Sequence, residues 1–178
     1  VLIQSVPICF DHRGNLPSVV TGVIGKMQIT LAAVGRMKTG PEKDLFDHYT
    51  ARLRWPFAVR EVEEKKKLPP NQLKDREAEL LLGVIPDNAF LIALDEHGKE
   101  YGSVDFAGKL EGWMDQYAGN IAFAIGGADG HGTALKSRAN TLWSLGKATW
   151  PHMLVRALIA EQLFRAHAIQ TNHPYHRE

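Results

Sequence analysis

The last eight residues of the chain, 171–178, gather side chains that exchange protons or stabilise anionic oxygens. The imidazoles of His173 and His176 and the phenol of Tyr175 are acid–base groups, and the guanidinium of Arg177 is a planar hydrogen-bond donor. A proline stiffens the segment, and an apolar helical run immediately precedes it. This composition predicts a tail held in a defined pose that offers acid–base groups and donors to a substrate. A solvated chain end with two incidental histidines is the alternative interpretation.

A glycine-rich segment, residues 126–132, is a second candidate for chemistry. Four of its seven residues are glycine, and it directly follows the apolar run 121–125. Such a turn lets a ligand approach the backbone closely and presents N–H groups at the start of a helix. Its spacing matches neither the Gly-x-Gly-x-x-Gly pattern of dinucleotide sites nor a P-loop, so a plain tight turn is the alternative interpretation.

A third candidate is the segment 142–153, which reads Leu-Trp-Ser-Leu-Gly-Lys-Ala-Thr-Trp-Pro-His-Met. It leads from a predicted strand through Gly146 to the start of a long helix. Pro151 suits the first turn of that helix, and Thr149 is predicted to cap it. These structural roles do not account for the whole string, so the loop stays a functional candidate.

Alternating strands and helices are predicted to position these three segments. Apolar, β-branched runs predict strands at 28–34, 57–62, 89–94, 121–125 and 141–145, with Asp95 closing the third. Helical spacing and start signals predict helices at 41–53, 71–82, 103–119, 133–140 and 153–169, with Asn71 and Ser103 as N-caps. This order predicts an α/β fold with a largely parallel sheet covered by helices on both faces.

Length and composition indicate a single domain of ordinary globular type. The chain has 178 residues, 44% of them hydrophobic, and no apolar run reaches the ~18 residues of a membrane span. The single cysteine, Cys9, is typical of a protein of the reducing cytoplasm. The domain proper is predicted to span 27–178, because Met27 opens a clean strand pattern. Glycines and prolines break the periodicity of residues 1–26, which are predicted to be an extension or translated upstream sequence.

The formal charge of +1 is close to neutral. A protein that binds nucleic acid mainly through phosphates is normally more basic. Any RNA partner is therefore expected to be recognised by a local patch and by shape. The run of three lysines at 65–67 is the strongest basic cluster, and a solvated turn is its ordinary interpretation.

Taken in chain order, the motifs of residues 27–178 resemble the ribosomal large subunit methyltransferase H family. The resemblance is carried by Ile125-Gly126-Gly127-Ala128-Asp129-Gly130, Trp143-Ser144-Leu145, Thr149 with Pro151-His152, Leu154-Val155-Arg156, Ala160-Glu161-Gln162, Arg165-Ala166 and the tail from Asn172 to Glu178. The last third of the chain carries very specific motifs, whereas residues 36–88 match loosely. Trp150 stands where the family more often has Leu or Phe, and residues 1–26 have no counterpart.

By this resemblance the chain is expected to be a SPOUT-class enzyme that methylates N3 of a pseudouridine in helix 69 of 23S rRNA. The methyl donor would be S-adenosylmethionine, and the near-neutral charge favours the assembled ribosome as the substrate. The resemblance also implies a homodimer whose acceptor site is completed across the interface. It further implies a trefoil knot in the C-terminal part of the chain, where connection rules alone predict an unknotted doubly wound sheet.

The resemblance implies a cofactor site made by three parts of the chain. These are Leu94 at the end of the third strand, Gly127 in the glycine-rich turn, and the loop of Gly146, Lys147, Ala148, Thr149, Trp150 and Pro151. Adenine needs apolar walls and backbone donors and acceptors, which glycine-containing loops at strand ends supply.

The same resemblance places the catalytic groups on the last helix and the tail. For methylation at N3, the uracil ring must lose its N3 proton, or the anion must be stabilised on O2 and O4. The expected acid–base groups are His173, Tyr175 and His176, and the expected anion donors are Arg156 and Arg177. Glu161 is expected either to orient one of these groups or to be a structural ion-pair partner. The choice of base stays open.

Three other interpretations compete on the same residues. A Rossmann-type NAD-dependent protein would need a different glycine spacing and an acidic residue after its first strand. A non-catalytic RNA-binding factor with the same fold would differ in cofactor binding, which calorimetry detects. A zinc site of His167, His173 and His176 would lack cysteines and an i, i+4 histidine pair, so no metal is expected.

Overall fold

The computed structural model describes residues 28–177, which form one alternating series of strands and helices. The elements are β1 (Gln28–Val34), α1 (Pro41–Thr50), β2 (Phe57–Val62), α2 (Pro70–Leu82), β3 (Phe90–Glu100), α3 (Ser103–Gln116), β4 (Asn120–Ile125), α4 (Thr133–Arg138), β5 (Thr141–Ser144) and α5 (His152–Gln170). The predicted extension 1–26, the predicted start at Met27 and the final residue Glu178 lie outside the described residues.

The five strands form one parallel sheet in the order β2-β1-β4-β3-β5. All strands therefore end at the same side of the sheet, here called the carboxyl edge, and begin at the opposite side, the amino edge. Helices α1, α3 and α5 pack together over one face, and α2 and α4 pack over the other. This confirms the predicted α/β architecture. None of the helices in residues 28–177 is long and apolar enough to span a membrane.

Strand β1, which pairs with β2 on one side and β4 on the other, shows why the sheet is buried on both faces. Its side chains alternate between two apolar cores: Ile29, Leu31 and Ala33 join the core under α1, α3 and α5, whereas Ala32 and Val34 join the core under α2 and α4. A parallel strand covered on both faces needs an uninterrupted apolar run, and this is the pattern that identified β1 from sequence.

Strand β3 continues beyond Asp95, where the sequence predicted its end. Leu94 and Lys99 both pair with Trp143 of β5, so the four residues between them bulge out of the ladder. At Gly98 the two strands touch, since a Cβ there would lie 2.6 Å from the backbone carbon of Leu142. Asp95 and Gly98 are of turn-forming types, which explains the error: these residues form a bulge inside a longer strand.

Two predicted helix caps are wrong. Helix α2 begins with Pro69 as N-cap residue, ahead of Asn71, and α3 begins with Gly102 as N-cap residue, ahead of Ser103. Neither helix has a side-chain cap bond, and the Ser103 hydroxyl instead donates to Gln162 on α5 at 3.1 Å. Extended backbone at proline and glycine starts these helices without help from a capping side chain.

Candidate functional site

A cavity of about 770 Å³ opens at the carboxyl edge of the sheet, within the ordinary range for small-molecule sites. The ends of β1, β4 and β5, the bulge of β3 and the first turn of α5 surround it. Its apolar walls are Leu94, Ile125, Leu145, Met153 and Val155. Of the predicted cofactor residues, the cavity brings together Leu94, Gly127, Gly146, Ala148, Thr149 and Trp150.

The glycine-rich turn after β4 is held from behind by a carboxylate of α2. A Cβ on Gly127 would lie 2.5 Å from Oε2 of Glu77, and the turn closes with a 3.1 Å hydrogen bond from the Gly130 amide to the Gly127 carbonyl. Glu77 is only 8% exposed; burial, and then the nearby charge of Asp129, raise the pKa of its carboxyl group. A larger residue at position 127 would therefore force the Glu77 carboxylate or the turn to move, whatever the ligand.

His131 ties the glycine-rich turn to the end of β3. Its ring is 4% exposed, and Nε2 lies 3.0 Å from the carbonyl oxygen of Leu94, so Nε2 carries the proton and donates. Nδ1 then becomes an acceptor and lies against Gly126, where a Cβ would approach it to 3.1 Å. Burial lowers the pKa of this imidazole, which keeps the ring neutral.

The loop between β5 and α5 is folded by its own side chains. The indole Nε1 of Trp150 donates to the carbonyl of Leu145 at 3.2 Å, and the hydroxyl of Ser144 accepts from the amide of Gly146 at 3.2 Å. Gly146 has φ +99°, a backbone conformation that favours glycine. The loop therefore forms one side of the cavity as a closed turn.

Two predicted cofactor residues of this loop do not reach the cavity lining. Lys147 and Pro151 are exposed and lie outside the lining. Pro151 is the N-cap residue of α5 and has no side-chain cap bond, so the predicted cap at Thr149 is wrong. His152, one residue later, lines the cavity, and its Nε2 is buried without a partner among the described residues.

Acidic side chains mark the β3 side of the cavity. The ammonium of Lys136 binds the Asp95 carboxylate at 2.7 Å, while Glu96 and Asp129 stay exposed on the lining. Burial alone would raise the pKa of Asp95, but the bonds from Lys136 and from the His97 amide outweigh it and lower that pKa. The lining also includes Lys74 and Lys136, so Glu96 and Asp129 offer a cationic ligand local carboxylate contacts within a wall of mixed charge.

Arg156 is a buried anchor beneath the cavity. It is 0% exposed; its guanidinium binds Glu61 at 2.6 Å and donates to the carbonyls of Val34 and Gly35 at 2.9 and 2.7 Å. These contacts join α5 to the carboxyl ends of β1 and β2. Most of its donors are satisfied inside the protein, which favours a structural role for Arg156. The role of anion donor that the resemblance implied stays a prediction.

The tail leaves α5 in a fixed direction. Asn172 adopts the left-handed conformation with φ +52°, and the His173 amide donates to the carbonyl of Ala168 at 2.8 Å while the Asn172 amide donates to that of Ile169 at 3.2 Å. This pair of bonds is the Schellman motif, which asparagine tolerates better than most residues. The tail is therefore ordered by the helix end, as its composition predicted.

Tyr175 fastens the tail to α5 and α1. Its hydroxyl donates to Oε1 of Glu161 at 3.0 Å and lies 3.1 Å from the hydroxyl of Tyr49, and its ring packs edge-on against Phe164 at 4.7 Å. Burial, and then the bonds with Tyr49 and Glu161, raise the pKa of this phenol. A phenol held in its protonated form is a poor base, so the geometry places Tyr175 as a donor and an anchor.

Glu161 combines the two roles that the sequence left open. It forms an ion pair with Arg165 at 2.5 Å, accepts from Gln162 at 2.6 Å, and accepts from Tyr175. It is thus both a structural ion-pair partner and the group that orients the tail.

The remaining tail residues lie together beside Tyr175. Both ring nitrogens of His176 are shielded, with no hydrogen-bond partner among the described residues, whereas His173 and Arg177 are exposed. The imidazole of His176 thus has unused hydrogen-bonding capacity. An exposed histidine and guanidinium next to it could contact a substrate directly.

The cavity and the tail lie at opposite edges of the sheet. Helix α5 starts at the cavity and its 19 residues span about 28 Å, and near its other end His167 packs against Trp55, two residues before β2. None of the described tail residues lines the cavity. Within one chain, the two candidate parts of the site therefore do not meet.

Sequence reasoning missed Glu77, His131 and Tyr49. Glu77 lies four residues after Leu73 and four before Leu81, so it interrupts an apolar stripe, which is a readable signal of a functional or paired carboxylate. His131 is part of the glycine-rich segment that was noted only for its glycines. Tyr49 had no local signal, since its role depends on contact with the far end of the chain.

The region that contains the cavity and most of the tail is similar to known proteins. A family described as predicted SPOUT methyltransferase matches residues 27–176. A protein of Paramagnetospirillum magneticum named ribosomal RNA large subunit methyltransferase H is 58% identical over 151 residues, covering 85% of this chain and 99% of the relative. Proteins of the same name from Rhodospirillum rubrum and Roseobacter denitrificans are 55% and 47% identical, with the same coverage.

Proposed function

Because this chain belongs to the SPOUT methyltransferase family, among the ribosomal RNA large subunit methyltransferases H, we propose that it methylates N3 of a pseudouridine in helix 69 of 23S rRNA. Family membership supports methylation of ribosomal RNA; the donor, the base and the position are the proposal. The fold is that of the family, whose C-terminal part forms a trefoil knot. The observation that carries the proposal is the cavity at the carboxyl edge, built from the family's glycine-rich turn and loop.

The residues of the cavity fit S-adenosylmethionine. The apolar side chains of Leu94, Ile125 and Leu145 offer walls for adenine, while the turn and loop offer backbone amides. The buried Nε2 of His152 has no partner among the described residues and is available to a polar group of the ligand. The exposed carboxylates of Glu96 and Asp129 suit its positive charge. When bound, this cofactor supplies an electrophilic methyl group.

The tail residues supply the chemistry at the base. His173 and His176 are the proposed acceptors of the N3 proton, since Tyr175 stays protonated. The exposed guanidinium of Arg177 donates to the anion that develops on O2 and O4. Tyr175 and Glu161 hold these groups in place.

A homodimer is the arrangement that brings the tail to a cavity. Since the tail of one chain lies at the far end of α5 from its own cavity, we propose that it completes the cavity of a second copy. Leu154 and Leu158 of α5 are only half-buried, and Val104 and Trp150 are 53% and 41% exposed. These apolar side chains on α5 and the adjoining elements suit a subunit interface.

The assembled ribosome, in the cytoplasm, is the proposed substrate. A chain of net charge +1 gains little long-range attraction to phosphates, so a preformed surface read by shape and by local contacts suits it better than free rRNA.

The experiment is mass spectrometry of 23S rRNA from a strain that lacks this gene. We expect one pseudouridine to lose one methyl group, and purified full-length protein with S-adenosylmethionine to restore it on ribosomes from that strain. An unchanged methylation pattern would contradict the proposed function. Calorimetry with S-adenosylmethionine separates this enzyme from a non-catalytic RNA-binding factor, which would not bind the cofactor.

A further inference from the structure

Two arginines lie beside the tail at the amino edge of the sheet. Arg52, just after α1, holds its guanidinium 4.0 Å over the ring of Phe164 and 5.8 Å from that of Tyr175, and donates to Nε2 of His48 at 3.3 Å. Arg54, two residues later, is exposed. A guanidinium stacked on an aromatic ring keeps its edge free for further hydrogen bonds, which is a common arrangement in RNA-binding proteins.

The charges of these two arginines are not balanced by carboxylates. The carboxylates near them on α1 and α5 are engaged elsewhere: Asp47 pairs with Lys43, and Glu161 pairs with Arg165. Across residues 28–177, neither Arg52 nor Arg54 forms an ion pair. The surface is therefore locally positive although the whole chain is nearly neutral.

The pKa of a neighbouring histidine, His167, agrees with this local positive charge. His167 lies against Trp55, with ring centroids 5.4 Å apart. Burial lowers the pKa of His167, and the positive charges of Arg54 and His173 lower it further. Imidazole, indole and guanidinium groups thus occupy one surface next to the exposed tail residues.

We propose that Arg52 and Arg54 form an RNA-binding surface that holds the phosphate backbone of the substrate while the neighbouring tail acts on the base. Planar guanidinium groups bind phosphate oxygens in pairs of hydrogen bonds, and the aromatic rings beneath fix their orientation. This proposal rests on the proposed function, and it identifies the local patch that a nearly neutral chain needs to bind RNA. In the dimer, the surface adjoins the cavity of the second copy, where the tail also acts.

The test measures the affinity of the purified full-length protein for ribosomes from the strain that lacks the gene, at about 50 to 200 mM KCl. The variants are Arg52→Gln and Arg54→Gln, with Arg60→Gln as the matched control: Arg60 is also an exposed arginine, on β2, without an ion pair among the described residues. We expect each of the first two to bind roughly tenfold more weakly, whereas the control binds as the wild type does. The slope of log affinity against log salt should become shallower by about 0.7 to 0.9 for each lost phosphate contact.

The outcomes separate this proposal from the proposed function. If wild-type protein methylates the ribosomes but both variants match Arg60→Gln in affinity and salt slope, the surface is refuted and the enzyme stands. If only Arg52→Gln binds ribosomes weakly, with a lowered Tm and an unchanged salt slope, then Arg52 acts only by packing on Phe164. That result would also refute the RNA-binding surface. Calorimetry with S-adenosylmethionine should give wild-type affinity for all three variants, because none contacts the cavity.

Discussion

The two edges of the sheet are built by different means. At the carboxyl edge, backbone turns and glycines form a cavity, and paired or buried polar groups such as Glu77 and His131 fix its shape. At the amino edge, aromatic and charged side chains pack around Tyr175, and none of the described tail residues lines the carboxyl-edge cavity. One edge is shaped to enclose a small molecule, whereas the other offers groups to something large.

This difference explains why one chain does not show a complete active site. The cavity at the carboxyl edge is assembled within a single chain from four strands and a helix. The tail has its anchoring contacts within the same chain, but its imidazoles do not line that cavity. Two candidate parts separated by the length of α5 fit the proposed homodimer, in which a second copy brings them together.

Deleting residues 173–178 should give the largest effect on methylation, and it tests the amino edge separately from the cavity. Loss of the acid–base groups should lower the methylation rate about 10²–10⁴-fold, while calorimetry should show unchanged cofactor affinity. His176→Ala is the smaller companion change, since it removes the unpartnered imidazole and keeps the Tyr175 anchor. Methylation of ribosomes at the wild-type rate by the truncated protein would show that the tail is not part of the active site.

Gly127→Ala should give an intermediate effect confined to the carboxyl edge. The new Cβ would overlap the buried carboxylate of Glu77, so the turn must shift, and we expect cofactor affinity to fall about tenfold. Adding Glu77→Ala should restore part of the affinity by making room. Gly112→Ala on α3, where a Cβ meets nothing within 4 Å, is the matched control and should bind normally. Equal affinities in all variants would show that this turn does not shape the cofactor site.

Sequence reasoning succeeded where local pattern determines structure. The buried run of β1 was predicted as observed, because an apolar strand between two cores leaves a clear signature. The limits of the edge strand β2 were also predicted as observed. The bulge in β3 was missed, since Asp95 and Gly98 look like a turn until β5 pairs on both sides of them. The place of β4 between β1 and β3 has no local signal, and the knot was expected only from the family resemblance.

The candidate site was predictable in its residue types but not in its geometry. Tyr175 and Arg156 were identified as chemical groups, yet their burial and their partners Glu161 and Glu61 depend on contacts between distant parts of the chain. Those contacts make both residues anchors. The sequence also indicated nothing of the distance between the tail and the cavity, which follows only from the direction of α5.

His131→Gln should give the smallest effect of these changes, and it tests whether His131 at the carboxyl edge is a buried, neutral imidazole. The pKa of His131 is lowered in the folded protein from about 6.5, so its stabilising contribution is complete above that pH and is lost as the pH falls through the folded pKa. Asp95 and Lys136 are the charged groups that influence it. Glutamine keeps a donor for the Leu94 carbonyl but does not titrate. Denaturant unfolding should therefore show a smaller loss of stability between about pH 7 and pH 5 in the variant; equal losses would show that His131 is not a buried neutral imidazole.

The central claim is that the tail of one chain acts on the cavity of another, and a mixed dimer tests it directly. One copy carries Gly127→Val, which blocks its cavity, and the other lacks residues 173–178; differently tagged copies are purified together. Each homodimer should be inactive on ribosomes, whereas the mixed dimer should hold one intact site and show about half the wild-type rate per dimer. A mixed dimer as inactive as its parents would contradict an active site shared between two copies.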